Sequence, residues 1–330
     1  MKKVLLIGGT GNISSAISEQ LGLSDEHEVY ILNRGSKEPA QGVHQIIADV
    51  SQGADAVKKA VEPYAPFDTV ANFIAFSPSD IKRDFETFNG ITKQYIFISS
   101  ATVYQKPPTD WLINEETPLG NPFWEYANNK IKCEELLHDY EAKNNFPITI
   151  VRPSHTYSKM FLPLAVTGHN GPYSVLKRIK EGKEVLLHGD GTSLWAILFN
   201  SDFAKAFIGL IGNDQAIGES VQITSEHSVS WNQIYQAVAD ACGGTFKPHY
   251  VTSQELARKG HEYDFRGNLL GDKAYSFVFD CSKLKRLVPD YVPQVPYTKG
   301  IKMAVDNILA DETLKIEDFE YEQFTEGFLL

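Results

Sequence analysis

Val4-Leu5-Leu6-Ile7-Gly8-Gly9-Thr10-Gly11-Asn12-Ile13-Ser14 is the stretch that decides the fold. Its first four residues form an unbroken apolar run, the pattern of a strand buried on both faces of a parallel sheet. Ile13, Ala16, Ile17 and Leu21 then recur at helical spacing, so the glycines occupy a strand-to-helix turn. Lacking a Cβ, Gly8 and Gly11 let the backbone N–H groups around Thr10, Asn12 and Ile13 approach a pyrophosphate at the positive end of the helix dipole. A glycine cluster alone is commonly just a turn. Set between a buried strand and an amphipathic helix, it reads as a dinucleotide-binding loop.

The next apolar run, His27 to Leu32, ends in Asn33-Arg34-Gly35. An NAD-specific loop usually presents a carboxylate here to the ribose 2′-OH, and none is present. Arg34 instead suits a 2′-phosphate, so NADP is expected in preference to NAD, unless Arg34 is merely an exposed loop residue. A third apolar piece, Gln45 to Ala48, leads to Asp49, which either accepts from an adenine amino group or caps the following helix.

Composition bounds what surrounds this loop. The chain has 330 residues, 42 % hydrophobic and 22 % charged, which disfavours disorder and low-complexity scaffolds. A net charge of −11 opposes phosphate backbones, so nucleic acid is an unlikely partner. Cys133, Cys242 and Cys281 form no CxxC pair, so no metal site is expected. With no apolar run long enough for a signal or membrane span, the expected location is cytoplasmic.

Further along stand Gln94 to Tyr104, a strand running into Ser99-Ser100-Ala101-Thr102, then Tyr126-Ala127-Asn128-Asn129-Lys130. Tyr126 and Lys130 lie four residues apart in a helical segment, which stacks them on one face. An ammonium beside a phenol favours the phenolate, so Tyr126 is expected to titrate below its ordinary value of about 10 and act as general base. Ser100, at a strand end, would hydrogen-bond the reacting oxygen.

Together with Ile148 to Pro153, His188-Gly189-Asp190-Gly191 and Asn200-Ser201-Asp202-Phe203-Ala204, these segments resemble, in family order, the extended short-chain dehydrogenase/reductases, the group that includes nucleotide-sugar epimerases and dehydratases. The resemblance implies an NAD(P)-dependent epimerase or dehydrogenase/reductase, both of which begin with the same hydride transfer at a secondary alcohol of a sugar or nucleotide-sugar-like substrate, with Ser100, Tyr126 and Lys130 catalytic. Beyond the glycine loop it implies cofactor contacts at Asn33, Arg34, Asp49, Ala75, Ser99, Tyr126, Lys130, Pro153 and His155. Substrate contacts are implied at Thr102, His155 and Trp195.

Departures from the family pattern carry information too. Ser14 replaces the third glycine. About twenty residues separate Thr69–Ala75 from the next strand, roughly half the expected length, which puts the usual helix-pair dimer face in doubt. The serine turn lacks the Asp-Glu pair of sugar dehydratases, so dehydratase chemistry is disfavoured. Trp195 and Asn268 fall near the family's diphosphate-clamping arginines, with Arg266, Lys273 or Lys177 as substitutes. Trp195 either stacks on a ring or fills the core.

The expected fold is α/β: a Rossmann doubly wound parallel sheet over residues 1–155, and a smaller, mostly C-terminal α/β substrate domain over 156–330. Residues 185–225 are expected to return to the first domain, and helices near 231–242, 282–288 and 299–308 to build the second. The rival reading is a catalytically retired NAD(P)- or RNA-binding protein on the same scaffold, like the chloroplast stem-loop-binding relatives.

Overall fold

A computed structural model describes residues 1–329. Seven strands form one parallel sheet: β1 (Lys2–Ile7), β2 (His27–Asn33), β3 (Val43–Ile47), β4 (Thr69–Asn72), β5 (Tyr95–Ile98), β6 (Ile148–Pro153) and β7 (Ser220–Ile223). Their spatial order is β7-β6-β5-β4-β1-β2-β3. Val4 to Ile7 are fully buried at its centre, each side chain contributing about 1.5–3 kcal/mol by leaving water. The order reverses between β1 and β4, which pair in register from Val4 with Thr69 to Ile7 with Asn72. Ligands of such sheets sit in the crevice at the carboxyl ends of these strands, and the glycine loop emerges there.

The helices α1 (Ser14–Gly22), α2 (Ala54–Val61), α3 (Pro78–Phe88) and α4 (Glu125–Asn144) join the first strands, and two apolar cores fill the two faces of the sheet. α3 is only 11 residues long, and polar ties fix it. Asp80 accepts from the Ser77 N–H at 3.0 Å to close its first turn. Further on, the buried Asp84 carboxylate takes a fork from Arg83 (2.8 and 2.9 Å) and a bond from Tyr95 of β5.

Much of the rest of the chain builds a second lobe. α5 (Tyr173–Lys180), α6 (Asn200–Ile208), α7 (Trp231–Cys242), α8 (Ser253–Lys259), α9 (Ser282–Leu287), α10 (Tyr297–Ala310) and α11 (Phe319–Leu329) follow in order, with a π-helical turn over Arg266–Lys273. Short strands pair Leu194–Phe199 with His155–Tyr157 and Ser228–Ser230. Within 185–225, Phe203 and Phe207 of α6 and the strand β7 belong to the large sheet's side, whereas Val185–His188 pairs with Pro248–Val251 in the second lobe.

One helix departs from expectation. Leu284 and Leu287 of α9 pack into the core of the large sheet, beside β7, so 282–288 does not build the second lobe. Its two leucines, three residues apart, carry no label for which core they join; that choice follows from β7 adding an edge for α9 to cover. The acidic C-terminal segment is docked: Tyr321 donates to the Val166 carbonyl at 2.9 Å, and Glu322 and Glu326 pair with Arg178. Among the described residues, no helix is long and apolar enough to cross a membrane.

Candidate active site

At the end of β1 the backbone enters the left-handed region at Gly8 (φ +81°), where a Cβ would stand 2.6 Å from Ile74 Cγ2. Only glycine fits there. Ser14, in place of the third glycine, staples the loop: its hydroxyl donates to the Gly8 carbonyl at 2.6 Å and accepts from the Gly11 N–H at 2.8 Å. Asn12 ties the loop to the second lobe, donating to the Thr156 carbonyl at 3.1 Å. Ile13 packs against the sheet core.

A groove of about 420 Å³ runs from Gly8, Thr10 and Gly11 past Asn33 and Arg34 to Asp49. Asn33 accepts through Oδ1 from Gly35 N–H and Gln45 Nε2, both at 2.9 Å, which leaves its buried Nδ2 without a partner. That orphaned donor beside the Arg34 guanidinium suits an anion. Asp49 is the one carboxylate in this lining among the described residues. It accepts from Ser51 N–H at 2.9 Å, and that bond, helped by Arg34, holds its carboxyl below the ordinary range. Of its two expected roles, the structure shows the cap. The cradle at Gly8 and the orphaned Asn33 donor both fit a dinucleotide.

A second cavity, about 290 Å³, is lined by Ser100, Thr102, Trp124, Tyr126, Pro153 and His155, and beyond them by Trp195, Asp272 and Lys273. Ser100 Oγ accepts from the Thr102 N–H (3.2 Å) and hydroxyl (3.0 Å), so its own O–H is left to donate toward the Tyr126 phenol and the cavity. Pro153 and His155, expected at the cofactor, share this cavity with Tyr126 instead of lining the Arg34 groove. Of the two readings of Trp195 the structure shows the core one, with the side chain 1 % exposed and packed edge-on against Phe277 and Phe279, while the residue also forms part of the cavity wall.

Directly behind Tyr126, Lys130 donates to the carbonyls of Ala75 and Ile98, both at 2.7 Å. Ala75 itself is buried and offers only that carbonyl. Burial brings the Lys130 ammonium down to about 8. The expected lowering of Tyr126 is overturned: burial of the phenol raises it, the hydrogen bond with Ser100 works against that, and the Asp272 carboxylate adds to it. Lys130 stands 5.8 Å from the Tyr126 ring centre with its charge spent on carbonyls, too little to offset desolvation.

Ser99 lies outside both cavities. Its hydroxyl donates to the buried Glu134 of α4, which also pairs with Arg152 at 2.7 Å. Sequence reading missed Trp124 and Asp272. They arrive through Asn121, whose amide donates to the Thr102 carbonyl (2.9 Å) and the Gly271 carbonyl (2.7 Å), clasping the serine turn to the π-helical turn. Gly267 permits the close approach: a Cβ there would stand 2.1 Å from Trp124 Cδ1. The run Arg266-Gly267-Asn268-Leu269-Leu270-Gly271 hints at this only through its two glycines.

The profile of the NAD dependent epimerase/dehydratase family matches residues 4–224. A 2′-dehydrokanamycin reductase of Streptomyces kanamyceticus is 26 % identical over 292 residues, 88 % of this chain and 80 % of the reductase. The chloroplast stem-loop binding protein of 41 kDa b of Arabidopsis thaliana is 26 % identical over 265 residues, 76 % of this chain and 65 % of that protein. Among solved structures, the UDP-glucuronic acid 4-epimerase of Bacillus cereus, bound to UDP-glucuronic acid and NAD, superposes with a TM-score of 0.72 at 18 % identity, over 93 % of this chain and 99 % of the epimerase. With its glycine loop at the sheet's switch point and a match spanning two thirds of its length, this chain belongs to the NAD-dependent epimerase/dehydratase family of extended short-chain dehydrogenase/reductases.

Proposed function

We propose that the protein is an NADP-preferring reductase acting at a secondary alcohol carbon of a sugar-like substrate, with Tyr126 as the proton-transfer group. One observation carries the reading: Ser100 and Tyr126 line a single cavity with Lys130 fixed behind them, at the carboxyl end of the sheet beside the dinucleotide groove. Gly8, Thr10, Gly11, Asn33 and Arg34 would hold the cofactor, whose nicotinamide supplies or takes the hydride.

The side chains divide the remaining work. In the direction of reduction, Ser100 donates its O–H to the substrate carbonyl oxygen. Tyr126 then gives its phenolic proton to that oxygen as the alcohol forms, and in the reverse direction takes it back. A phenol held protonated by burial is suited to the donating step. Lys130 keeps one N–H beyond its two carbonyl bonds and orients the ring through the shared helix face. Preference for NADP rests on Arg34 and the orphaned Asn33 donor. The 2′-dehydrokanamycin reductase, as the curated relative with 88 % coverage, supports reduction over epimerisation.

Tyr126→Phe tests the assignment. Turnover of any substrate found should fall roughly 10²–10⁴-fold with NADPH affinity retained; unchanged turnover would sink it. Cofactor content of the purified protein tests the reaction class, since a tightly retained dinucleotide would favour an epimerase and an exchangeable one a reductase.

A further inference from the structure

The cavity around Tyr126 has a polar wall that hydride transfer leaves unused. Asp272, 4 % exposed, faces Lys273 Nζ at 3.4 Å through Oδ2, while its Oδ1 has no partner. Three more lining residues each leave a buried polar atom unpaired: Nε1 of Trp195, Nε2 of His155 and the Ser154 hydroxyl. Burial brings His155 down to about 3, so its ring is neutral and can donate or accept. Buried polar atoms are almost always paired, and four orphans on the residues lining one chamber point to a ligand that completes them.

The chemistry of the set narrows the ligand. An indole N–H that donates, a carboxylate oxygen that accepts and an imidazole that does either match hydroxyl or amine groups. A phosphate would want converging cations, and those nearby are committed. Lys273 donates to Asn268 and Asp272, and Lys106 donates to the Tyr104 carbonyl at 3.2 Å and lies 3.7 Å over the Phe277 ring centre. No arginine lines the chamber among the described residues. At about 290 Å³ the space falls at the small end of ligand sites, enough for one ring. Just outside, Trp124 and Phe123 offer aromatic faces between the carboxylates of Glu125 and Asp264, with Arg266 as the single cation.

We infer that Asp272, with Trp195 and His155, selects a sugar ring that bears free hydroxyl or amine groups and carries no diphosphate. The inference rests on the reductase reading above and adds the substrate class. A site built to hydrogen-bond a substrate group discriminates strongly against a ligand that leaves its buried atoms unpaired.

Isothermal titration separates the possibilities. Kanamycin, as an unphosphorylated amine-bearing glycoside, and UDP-glucose are each titrated into the NADPH-bound protein and into its Asp272→Asn and Trp195→Phe variants. The second variant removes one N–H donor without touching the Asp272–Lys273 pair, which guards against a folding defect in the first. The expected result is tighter binding of kanamycin than of UDP-glucose, a loss of roughly 10–150-fold in Asp272→Asn, and a smaller loss in Trp195→Phe, with NADPH affinity within twofold throughout. Tighter binding of UDP-glucose, no binding of either sugar, or unchanged kanamycin affinity in both variants would overturn the inference. Failure of the unaltered protein to bind NADPH at all would instead overturn the reductase reading.

Discussion

The dinucleotide groove and the cavity around Tyr126 sit side by side yet are built in opposite ways. The groove comes from the first fifty residues with Ile74 added, uses main-chain geometry at Gly8 and Gly11, and is closed locally by Ser14 within six residues of Gly8. The cavity draws on Ser100, Trp124, Tyr126, His155, Trp195 and Asp272, and is held by Asn121 reaching 150 residues along the chain to Gly271. In this family scaffold the shared chemistry thus rests on local backbone, while the recognition wall rests on distant side chains. Side chains can be exchanged one at a time without breaking the sheet, which leaves the substrate free to vary between relatives.

Several substitutions break or sharpen that contrast. After Tyr126→Phe, the largest effect is expected from Ser100→Ala, which on the proposed roles removes the donor that works beside Tyr126 on the reacting oxygen: kcat/KM should fall about 10²–10³-fold while NADPH titrates normally. Loss of cofactor affinity in the same variant would show that the two regions are not separable. Arg34→Ala is the reciprocal change. It should weaken NADPH by roughly 10–150-fold and leave NADH within about threefold, as read by fluorescence titration; equal losses would remove Arg34 from the phosphate site.

A smaller effect tests the packing behind the wall, where Lys106 lies over the Trp195 and Phe277 rings. Lys106 is 2 % exposed and burial brings its ammonium down to about 7, well below the value near 10.5 of the unfolded chain. Folding then releases a proton between those two values, so stability of the unaltered protein rises with pH across that window, and the full cost of the buried charge is present below about 7. Lys106→Met should therefore melt a few degrees above the unaltered protein at pH 6 and lose that advantage by pH 10. A pH-independent difference would mean that burial leaves Lys106 at its unfolded-chain value, charged in the fold across the whole window.

Much was legible before any coordinates. The apolar run Val4–Ile7 followed by glycines predicts the central strand and its loop because both signals are local: burial on two faces and a positive φ depend on neighbours in sequence. Tyr126 and Lys130 were legible for the same reason, as residues one helical turn apart. The direction of the Tyr126 shift was not, because spacing shows which charge is near and hides how much water has been removed. Nor was the side of the molecule that α9 joins, since Leu284 and Leu287 would serve either core equally well.

By itself, then, the sequence determined the parallel sheet, the dinucleotide loop and the Ser100-Tyr126-Lys130 set, all written in spacings of a few residues. Tertiary structure alone decided the recognition wall. Asp272 becomes notable only when the fold places it in the lining of the Tyr126 chamber, strips it of solvent, pairs one oxygen with Lys273 and leaves the other without a partner. Burial and missing partners are properties of a place in space, and no pattern along the chain records them.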